Sequence, residues 1–153
     1  MPLEIERKFL VISDTYKENS KSSYIKQTYL SVTEKMSIRV RIDGIQGSLA
    51  IKSKVSDRVN REYEYSIPID EARSLMNLGD LPIIIKTRYL VEYEGWTWEV
   101  DEFHDNNDGL IVAEIELEAE NDIFKLPPWI GEEVTADYRY LNSNLAINPF
   151  SKW

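Results

Sequence analysis

Charged residues of one sign recur two positions apart along this sequence, and their types are those that bind ions. Side chains at i and i+2 of a β-strand share one face, so each pair would present two like charges to one side of a sheet. The basic pairs are Arg39 with Arg41, Lys52 with Lys54, and Lys86 with Arg88. The acidic sets are Glu62 with Glu64, Glu99 with Asp101, and Glu114 with Glu116 and Glu118, while Glu4, Glu6 and Lys8 share a face of the first strand.

The two kinds of pair suit two kinds of ligand. Arginine and lysine donate hydrogen bonds to phosphate oxygens. The chain has no cysteine and a single histidine, His104, so its clustered carboxylates favour a hard cation such as Mg²⁺ or Mn²⁺. A metal-bound polyphosphate would satisfy both sets of charges at once.

A solvated sheet face is the simplest explanation of any single strand, because antiparallel sheets commonly keep one polar face in water. Such a face tends to mix signs, since opposite charges across strands stabilise and like charges destabilise. The strands here are instead acidic or basic as a whole, and their other face is apolar, as in Ile38, Val40 and Ile42. If helices cover the apolar face, the charges point inward, where burial is costly unless they pair or bind a ligand. A charged interior therefore indicates a function.

Alternation of polar and apolar residues between Leu3 and Glu118 predicts the elements that position these charges. The predicted strands span 3–12, 23–32, 36–43, 47–55, 60–67, 83–93, 96–103 and 110–120, with turn signals at Asp43-Gly44, Glu94-Gly95 and Asn106-Asn107-Asp108-Gly109. Helices are predicted over 70–78, between a capping Asp70 and Gly79, and over 137–147, capped by Asp137. We predict a β-rich (α+β) fold: a closed eight-stranded antiparallel β-barrel with a charged interior and helices packed outside. A single domain would span residues 1–153.

Composition narrows the class of protein. The 153 residues are 42% hydrophobic and carry a net charge of -9, which favours one folded domain and opposes non-specific binding to nucleic acid or anionic lipid. No apolar stretch is long enough to cross a membrane, and no apolar leader precedes Glu4. We expect a cytoplasmic protein, although the lack of cysteine fits cytosol and periplasm equally. Apolar strand edges and Trp129 leave a homodimer open.

The ordered series of motifs resembles the CYTH superfamily, also called triphosphate tunnel metalloenzymes. The opening Glu4-Ile5-Glu6-Arg7-Lys8 is similar to the family's Glu-x-Glu-x-Lys signature. The motifs that follow in family order are Gln27-Thr28-Tyr29-Leu30, Arg39-Val40-Arg41, Lys52, Arg61-Glu62-Tyr63-Glu64, Lys86-Thr87-Arg88-Tyr89, Glu99-Val100-Asp101 and Glu114-Ile115-Glu116. Near the end, Gly131-Glu132-Glu133-Val134-Thr135 and Asp137-Tyr138-Arg139-Tyr140-Leu141-Asn142 resemble the closing segment of short bacterial members.

The resemblance implies an eight-stranded antiparallel tunnel and a reaction at a triphosphate. Known members include inorganic, thiamine and RNA triphosphatases and a class of adenylate cyclases. The short single-domain form and the Gln-x-Tyr-Leu segment look most like the bacterial inorganic triphosphatases. The implied activity is thus hydrolysis of tripolyphosphate to pyrophosphate and phosphate, with Mg²⁺ or Mn²⁺ as cofactor.

The same resemblance implies roles for individual residues. Metal would be held by Glu4, Glu6, Glu114 and Glu116, with Glu62 and Glu64 helping a second ion or the attacking water. Phosphates would be bound by Lys8, Arg39, Arg41, Lys52, Lys86 and Arg88. Tyr29 and Lys8 are the catalytic candidates, because a phenol near Lys8 in the inferred sheet could be deprotonated or could orient water; an ordinary barrel tyrosine is the alternative. Solvated charges are the simpler interpretation of Lys54, Arg61, Glu99, Asp101, Glu118 and Arg139, among which Asp101 is the best functional candidate.

Other functions fit the same residues. A class IV-type adenylate cyclase would bind the triphosphate of ATP with the same metal and cations, and the ribose 3′-hydroxyl would replace water as the nucleophile. A nucleoside or thiamine triphosphatase would differ only in substrate. A polyphosphate-binding module without catalysis would gain little from so many carboxylates, which repel an anion in the absence of metal. A structural barrel would be expected to show mixed-sign surfaces. His104 is expected in a surface loop, and Trp96, Trp98 and Phe103 are expected to pack under helices.

Overall fold

Eight long strands close a barrel in the computed structural model, which describes residues 2–153. They are β1 (Leu3–Val11), β2 (Lys21–Val32), β3 (Ser37–Asp43), β4 (Gln46–Lys54), β5 (Val59–Ile67), β6 (Ile84–Tyr93), β7 (Trp96–Phe103) and β8 (Ile111–Leu117). Their order is β5-β4-β3-β2-β6-β7-β8-β1, and β1 pairs back onto β5. Every pairing is antiparallel. The predicted barrel is confirmed, with strand ends within three residues of those predicted.

A short ninth strand, β9 (Ile130–Glu133), was not predicted. It pairs with the C-terminal part of β1, beyond the residues that pair with β5, where Phe9 lies opposite Glu133 and Val11 opposite Ile130. Its four residues follow Pro127-Pro128 and show no sustained alternation. Four residues are too few for a period of two to be recognised.

The first helix, α1 (Ile69–Met76), begins and ends earlier than predicted. Pro68 occupies the N-cap position, and Asp70 lies inside the first turn without a capping hydrogen bond. An acidic residue there still interacts favourably with the helix dipole. The backbone N–H of Asn77 bonds to carbonyls of the last turn and ends the helix before Gly79.

The predicted helix over 137–147 is interrupted. A 3-10 turn, Tyr138–Tyr140, is followed by Leu141 in an extended conformation and then by α2 (Asn142–Ile147). Asp137 does cap the turn, because its side chain accepts a hydrogen bond from the backbone N–H of Arg139. In an unbroken helix Tyr140 and Leu145 would point about 140° apart at roughly 100° per residue. The break lets both side chains enter the same apolar cluster.

Two apolar clusters lie on the outside of the barrel, as the alternation requires. The larger is centred on Trp98 and Ile115 and is covered by Tyr16, Phe124 and Trp129. The prediction that the tryptophans pack under helices is wrong for Trp98, because loop residues and a 3-10 turn cover it. Trp129 is 4% exposed, so it is core and offers no surface to a second copy.

The smaller outer cluster is formed by α1 against β3 and β4. Ala72 and Met76 of the helix pack on Val40 of the sheet. Gly47 permits this close approach, since a Cβ atom there would lie 2.7 Å from Cβ of Ala72. The helix therefore covers an apolar face that would otherwise be exposed, as predicted.

A third cluster, which we call the apolar plug, lies inside the barrel at one end. Tyr29, Ile84 and Phe103 share strand faces with the interior charges, and they pack with Tyr140 and Leu145 from the C-terminal segment. The C-terminal segment thus enters the barrel and closes the charged interior on one side. Among residues 2–153 no helix has the length and hydropathy needed to cross a bilayer.

Candidate active site

Interior side chains from all eight barrel strands line one cavity of about 740 Å³. This volume falls in the range of roughly 300–1,000 Å³ that is typical of small-molecule sites. Residues Leu141 and Asn142 of the C-terminal segment also line it. Every site residue predicted from the sequence borders this cavity except Glu64 and Glu116, which are exposed near it.

One side of the cavity, built by β1, β4 and β5, carries Glu4, Glu6, Lys52 and Glu62; we call these four residues the acidic wall. The Nζ atom of Lys52 lies 2.9 Å from Oε2 of Glu4. Burial raises the pKa of Glu4, and a hydrogen bond with the Glu62 carboxyl raises it further against the opposing effect of Lys52. Within the acidic wall three carboxylates thus surround one ammonium group, and Glu62 also lies 3.5 Å from Arg39 Nη2.

Glu6 is the least compensated carboxylate of this wall. It forms no ion pair within 4.0 Å among the described residues. Burial raises its pKa well above the ordinary value, and repulsion from Glu114 adds to the rise. Glu116, which pairs with Glu6 in the β1–β8 register, has its pKa raised by burial and by Glu4 and Glu99.

The acidic wall fits a hard divalent cation by its chemistry. Its donors are carboxylate oxygens, and burial together with neighbouring carboxylates raises the pKa values of Glu4 and Glu6. Within residues 2–153 no three His, Asp or Glu side chains are already gathered around one point. Mg²⁺ usually takes one or two carboxylates and completes its shell with water and substrate phosphates, so a preassembled cage is not required.

The other side of the cavity, built by β3, β6 and β7, carries Arg41, Lys86, Arg88 and Asp101; we call these the basic wall. Arg88 donates from Nε and Nη2 to the two Asp101 oxygens at 2.8 and 2.9 Å, and from Nη1 to Glu99 at 2.9 Å. Lys86 Nζ lies 2.8 Å from Asp101 Oδ2. Despite burial, Arg88 and Lys86 hold the pKa of Asp101 well below its usual range. Three cations face two carboxylates here.

The excess positive charge appears in the pKa values of Lys86 and Arg41. Burial lowers the pKa of Lys86 to about 7; Arg88 and Arg41 add to this and Asp101 opposes it. Burial and the neighbouring Arg39 and Arg88 lower the pKa of Arg41 to about 10. In the described chain Arg41 has no carboxylate partner, and its Nε donates to the Gln27 amide at 2.9 Å. An anion in the cavity would relieve both groups.

Arg39 lies between the two walls. Its Nη2 is 2.9 Å from Glu64 Oε2 and 3.5 Å from Glu62 Oε1. Its Nε is buried and has no hydrogen-bond partner in residues 2–153. A buried donor without a partner costs about 1–3 kcal/mol, which a phosphate oxygen would recover.

Lys8 and Tyr29 both border the cavity but are not sheet neighbours. The prediction that they lie close in the sheet is wrong, because β6, β7 and β8 separate β2 from β1 around the barrel. Lys8 Nζ is 3.4 Å from Glu114 Oε1 and 3.5 Å from the Tyr140 carbonyl oxygen. Burial opposes the charge of Lys8, but Glu114 and Glu6 raise its pKa, so it remains protonated. Against burial, Lys8 contributes most to lowering the pKa of Glu114 to about 2.

Residues expected to be solvated divide into two groups. Asp101 is 2% exposed and anchors the basic wall, and Glu99 lines the cavity beside it. Lys54, at the cavity edge, pairs with Asp57 at 3.5 Å and lies over the Tyr138 ring. The remainder stay near the surface: Glu118 in the turn after β8, Arg139 paired with Asp137, and His104 bonded to Thr87 beside Tyr24.

Two uncharged residues that the charge pattern could not identify bond to cations of the basic wall. Gln27 is fully buried, and its Nε2 donates to Asn142 Oδ1 at 2.9 Å. Lys86 Nζ donates to the same oxygen at 2.9 Å. Both residues occur in the quoted motifs, but only the fold brings them together.

A closed barrel that sets carboxylates against guanidinium and ammonium groups across one cavity offers donors suited to a polyanion and acceptors suited to a cation. The CYTH domain model matches residues 2–146, and the chain belongs to the CYTH domain family. An inorganic triphosphatase of Acetivibrio thermocellus is 47% identical over 154 residues, covering 100% of this chain and 99% of the relative.

More distant relatives agree in sequence and in fold. An inorganic triphosphatase of Nitrosomonas europaea is 33% identical over 150 residues, covering 95% of this chain and 97% of the relative. A crystal structure of an inorganic triphosphatase, also 33% identical, superposes with a TM-score of 0.70 and covers 94% of each chain.

Proposed function

We propose that this protein hydrolyses inorganic tripolyphosphate to pyrophosphate and phosphate with Mg²⁺ or Mn²⁺ bound in the barrel. One observation carries the proposal: uncompensated carboxylates and uncompensated cations line opposite sides of the same cavity. A metal-bound triphosphate neutralises both. The curated relatives named inorganic triphosphatases support this choice of substrate.

The phosphate chain lies against the basic wall in this proposal. Arg41 and Lys86 carry the excess positive charge, and Arg39 offers a buried Nε without a partner. Guanidinium groups match phosphate oxygens in geometry as well as charge. These side chains also stabilise the charge that develops on the leaving pyrophosphate, which is the main task in phosphoryl transfer.

The metal is held from the acidic wall. Glu4 and Glu6 are its principal ligands, with Glu114 and Glu62 within the same cavity and Glu64 and Glu116 at its rim. When bound, a divalent ion polarises phosphoryl oxygens as a Lewis acid and neutralises their charge.

The attacking water needs a group that orients it. Lys8 stays protonated beside Glu114, so its role is electrostatic and it is not the base. Tyr29 is 5% exposed and borders the cavity, which makes its phenol the candidate for orienting water. A Tyr29→Phe variant should lose turnover while retaining tripolyphosphate affinity, because only the hydroxyl is removed.

The direct test is release of phosphate from tripolyphosphate, ATP and thiamine triphosphate, each with Mg²⁺, with Mn²⁺ and with a chelator. We expect metal-dependent release from tripolyphosphate, with Glu71→Gln, an exposed change on α1, as the matched control. Conversion of ATP to cyclic AMP and pyrophosphate, without action on tripolyphosphate, would identify a cyclase. Tight binding that a chelator does not affect, without turnover, would identify a binding module.

A further inference from the structure

A chain of side-chain amides connects two cations of the basic wall. Arg41 Nε donates to Gln27 Oε1, Gln27 Nε2 donates to Asn142 Oδ1, and Lys86 Nζ donates to the same Asn142 oxygen, each at 2.9 Å. Arginine and lysine can only donate, so they fix the orientation of both amides. The four residues form a relay with one consistent set of donors and acceptors.

From this geometry we infer that Gln27 and Asn142 are positioning residues for the triphosphate, holding Arg41 and Lys86 so that their remaining donors face the cavity. The inference rests on the proposed function for the identity of the anion. Neither amide is one of the proposed metal ligands or phosphate-binding cations, and neither needs to touch the substrate to act in this way.

The two amides of the relay are uncharged, and this favours binding of an anion. A carboxylate at position 142 would accept the same hydrogen bonds, but its charge would cancel part of the positive charge that attracts phosphate. The groups facing Lys86 are Asp101, Arg88, Arg41 and Glu114. An amide supplies the acceptor and leaves the balance of these charges unchanged. The relay therefore orients the cations without neutralising them.

Asn142 also ties the basic wall to the C-terminal segment that follows the barrel strands in the chain. It is the first residue of α2, whose Leu145 and Ala146 pack in the apolar plug. The Tyr140 carbonyl oxygen, 3.5 Å from Lys8 Nζ, is a second contact from the same segment. The C-terminal segment thus completes the phosphate-binding side of the cavity.

Two substitutions at Asn142 separate positioning from a structural role. Asn142→Ala removes the acceptor, and Asn142→Asp keeps its shape and adds a charge. We expect Asn142→Ala to lower kcat/KM for tripolyphosphate about tenfold or more, as expected for losing a hydrogen bond to a charged group. Asn142→Asp should restore thermal stability but not KM. Asn148→Ala, at the exposed end of α2, is the matched control.

The dependence of kcat/KM on pH would not change if Asn142 had only a structural role. The kcat/KM of the wild-type protein should fall on the alkaline side as Lys86 loses its proton, because kcat/KM reports groups of the free enzyme. The added carboxylate in Asn142→Asp favours charged Lys86, so this fall should move to higher pH. If the alkaline fall of kcat/KM in Asn142→Asp occurs at the wild-type pH and KM is also unchanged, the inference is overturned.

Binding measured without turnover keeps this test separate from the proposed function. Tripolyphosphate is titrated calorimetrically into wild-type and variant proteins in the presence of chelator. Weaker binding by Asn142→Ala, which removes the acceptor without adding a charge, supports positioning even if the wild-type protein hydrolyses no triphosphate, a result that would reject only the function. Equal affinities in all three proteins would reject positioning whether or not hydrolysis occurs.

Discussion

The acidic wall and the basic wall bury charge in opposite ways. In the basic wall Asp101 is shared by Arg88 and Lys86, and amides accept from Arg41 and Lys86. In the acidic wall Glu6 has no ion pair in the described chain and Glu4 lies against another carboxyl. One wall is held together by hydrogen bonds before any ligand arrives, whereas the carboxylates of the other still repel one another.

The difference shows where preorganisation is needed. Fixed donors stabilise developing charge without reorganising during the reaction, which suits the side that binds phosphate. A cation that binds only the folded state stabilises it, which suits the side where carboxylates repel. The acidic wall is therefore expected to gain stability from metal, and the basic wall to depend on its internal contacts.

The largest effect is expected from changing the acidic wall at Glu6. Glu6→Gln keeps the shape of the side chain and removes a proposed metal ligand. Turnover should fall roughly a hundredfold or more, because a bound metal ion contributes several kcal/mol to stabilisation of the transition state. The Mg²⁺ concentration that gives half-maximal rate should also rise. An unaltered metal titration would remove Glu6 from the metal site.

A smaller loss is expected in the basic wall at Arg41. Arg41→Ala removes a cation that has no carboxylate partner among residues 2–153, so kcat/KM for tripolyphosphate should fall about tenfold to a hundredfold. The fold should be retained, because no ion pair is broken. Arg73→Ala on α1 is the control for general loss of positive charge, and equal kinetics in the two variants would contradict the assignment.

The two walls should respond to pH with opposite signs in metal-free protein. The raised pKa of Glu6 means that the folded state keeps this proton longer than the unfolded state, so its contribution to stability falls as pH rises above about 4.3. Glu6→Gln should gain unfolding free energy over the wild type across this range. Urea unfolding with chelator at several pH values measures the difference, and added Mg²⁺ should reverse it.

Lys86 should show the reverse dependence. Its pKa of about 7 lies below the unfolded value of about 10.4, so the folded state releases this proton first. Its contribution to stability rises with pH between these two values. The unfolding free energy of the wild type relative to Lys86→Met should therefore increase from pH 7 to 10, and a constant difference would contradict the assigned shift.

The smallest effect is expected at Glu64. This residue is half exposed and bonds to Arg39, whereas Glu62 lines the cavity. Glu64→Gln should change kcat/KM by less than about fivefold, as exposed ion pairs are worth about 1 kcal/mol or less. If kcat/KM falls more in Glu64→Gln than in Glu62→Gln, Glu64 would be assigned as a metal ligand.

The sequence predicted the barrel because period two persists through eight strands. Alternation fixed which charges share a face, and the apolar face required covering, so an inward-facing charged surface followed. The strand β9 and the break at Leu141 could not be predicted, since the first is four residues long and the second depends on where Tyr140 and Leu145 pack.

The residues of the site were predictable as sets, but their partners were not. Which strands adjoin depends on how the barrel closes, so pairing of Lys52 with Glu4 and separation of Tyr29 from β1 were both inaccessible. Asp101 looked like a solvated strand-end charge. Gln27 and Asn142 carry no charge, and only their placement beside cations reveals them.

The apolar plug affects how substrate enters the barrel and how products leave it. Phe103, whose ring lies 5.6 Å from Lys86 Nζ, and Leu145 fill the interior next to the basic wall. Because these side chains fill this end of the interior, a long phosphate polymer would be expected to enter the cavity by one of its ends. Such an enzyme would act at the terminus of its substrate, and its products would leave through the same open end of the cavity by which the substrate entered.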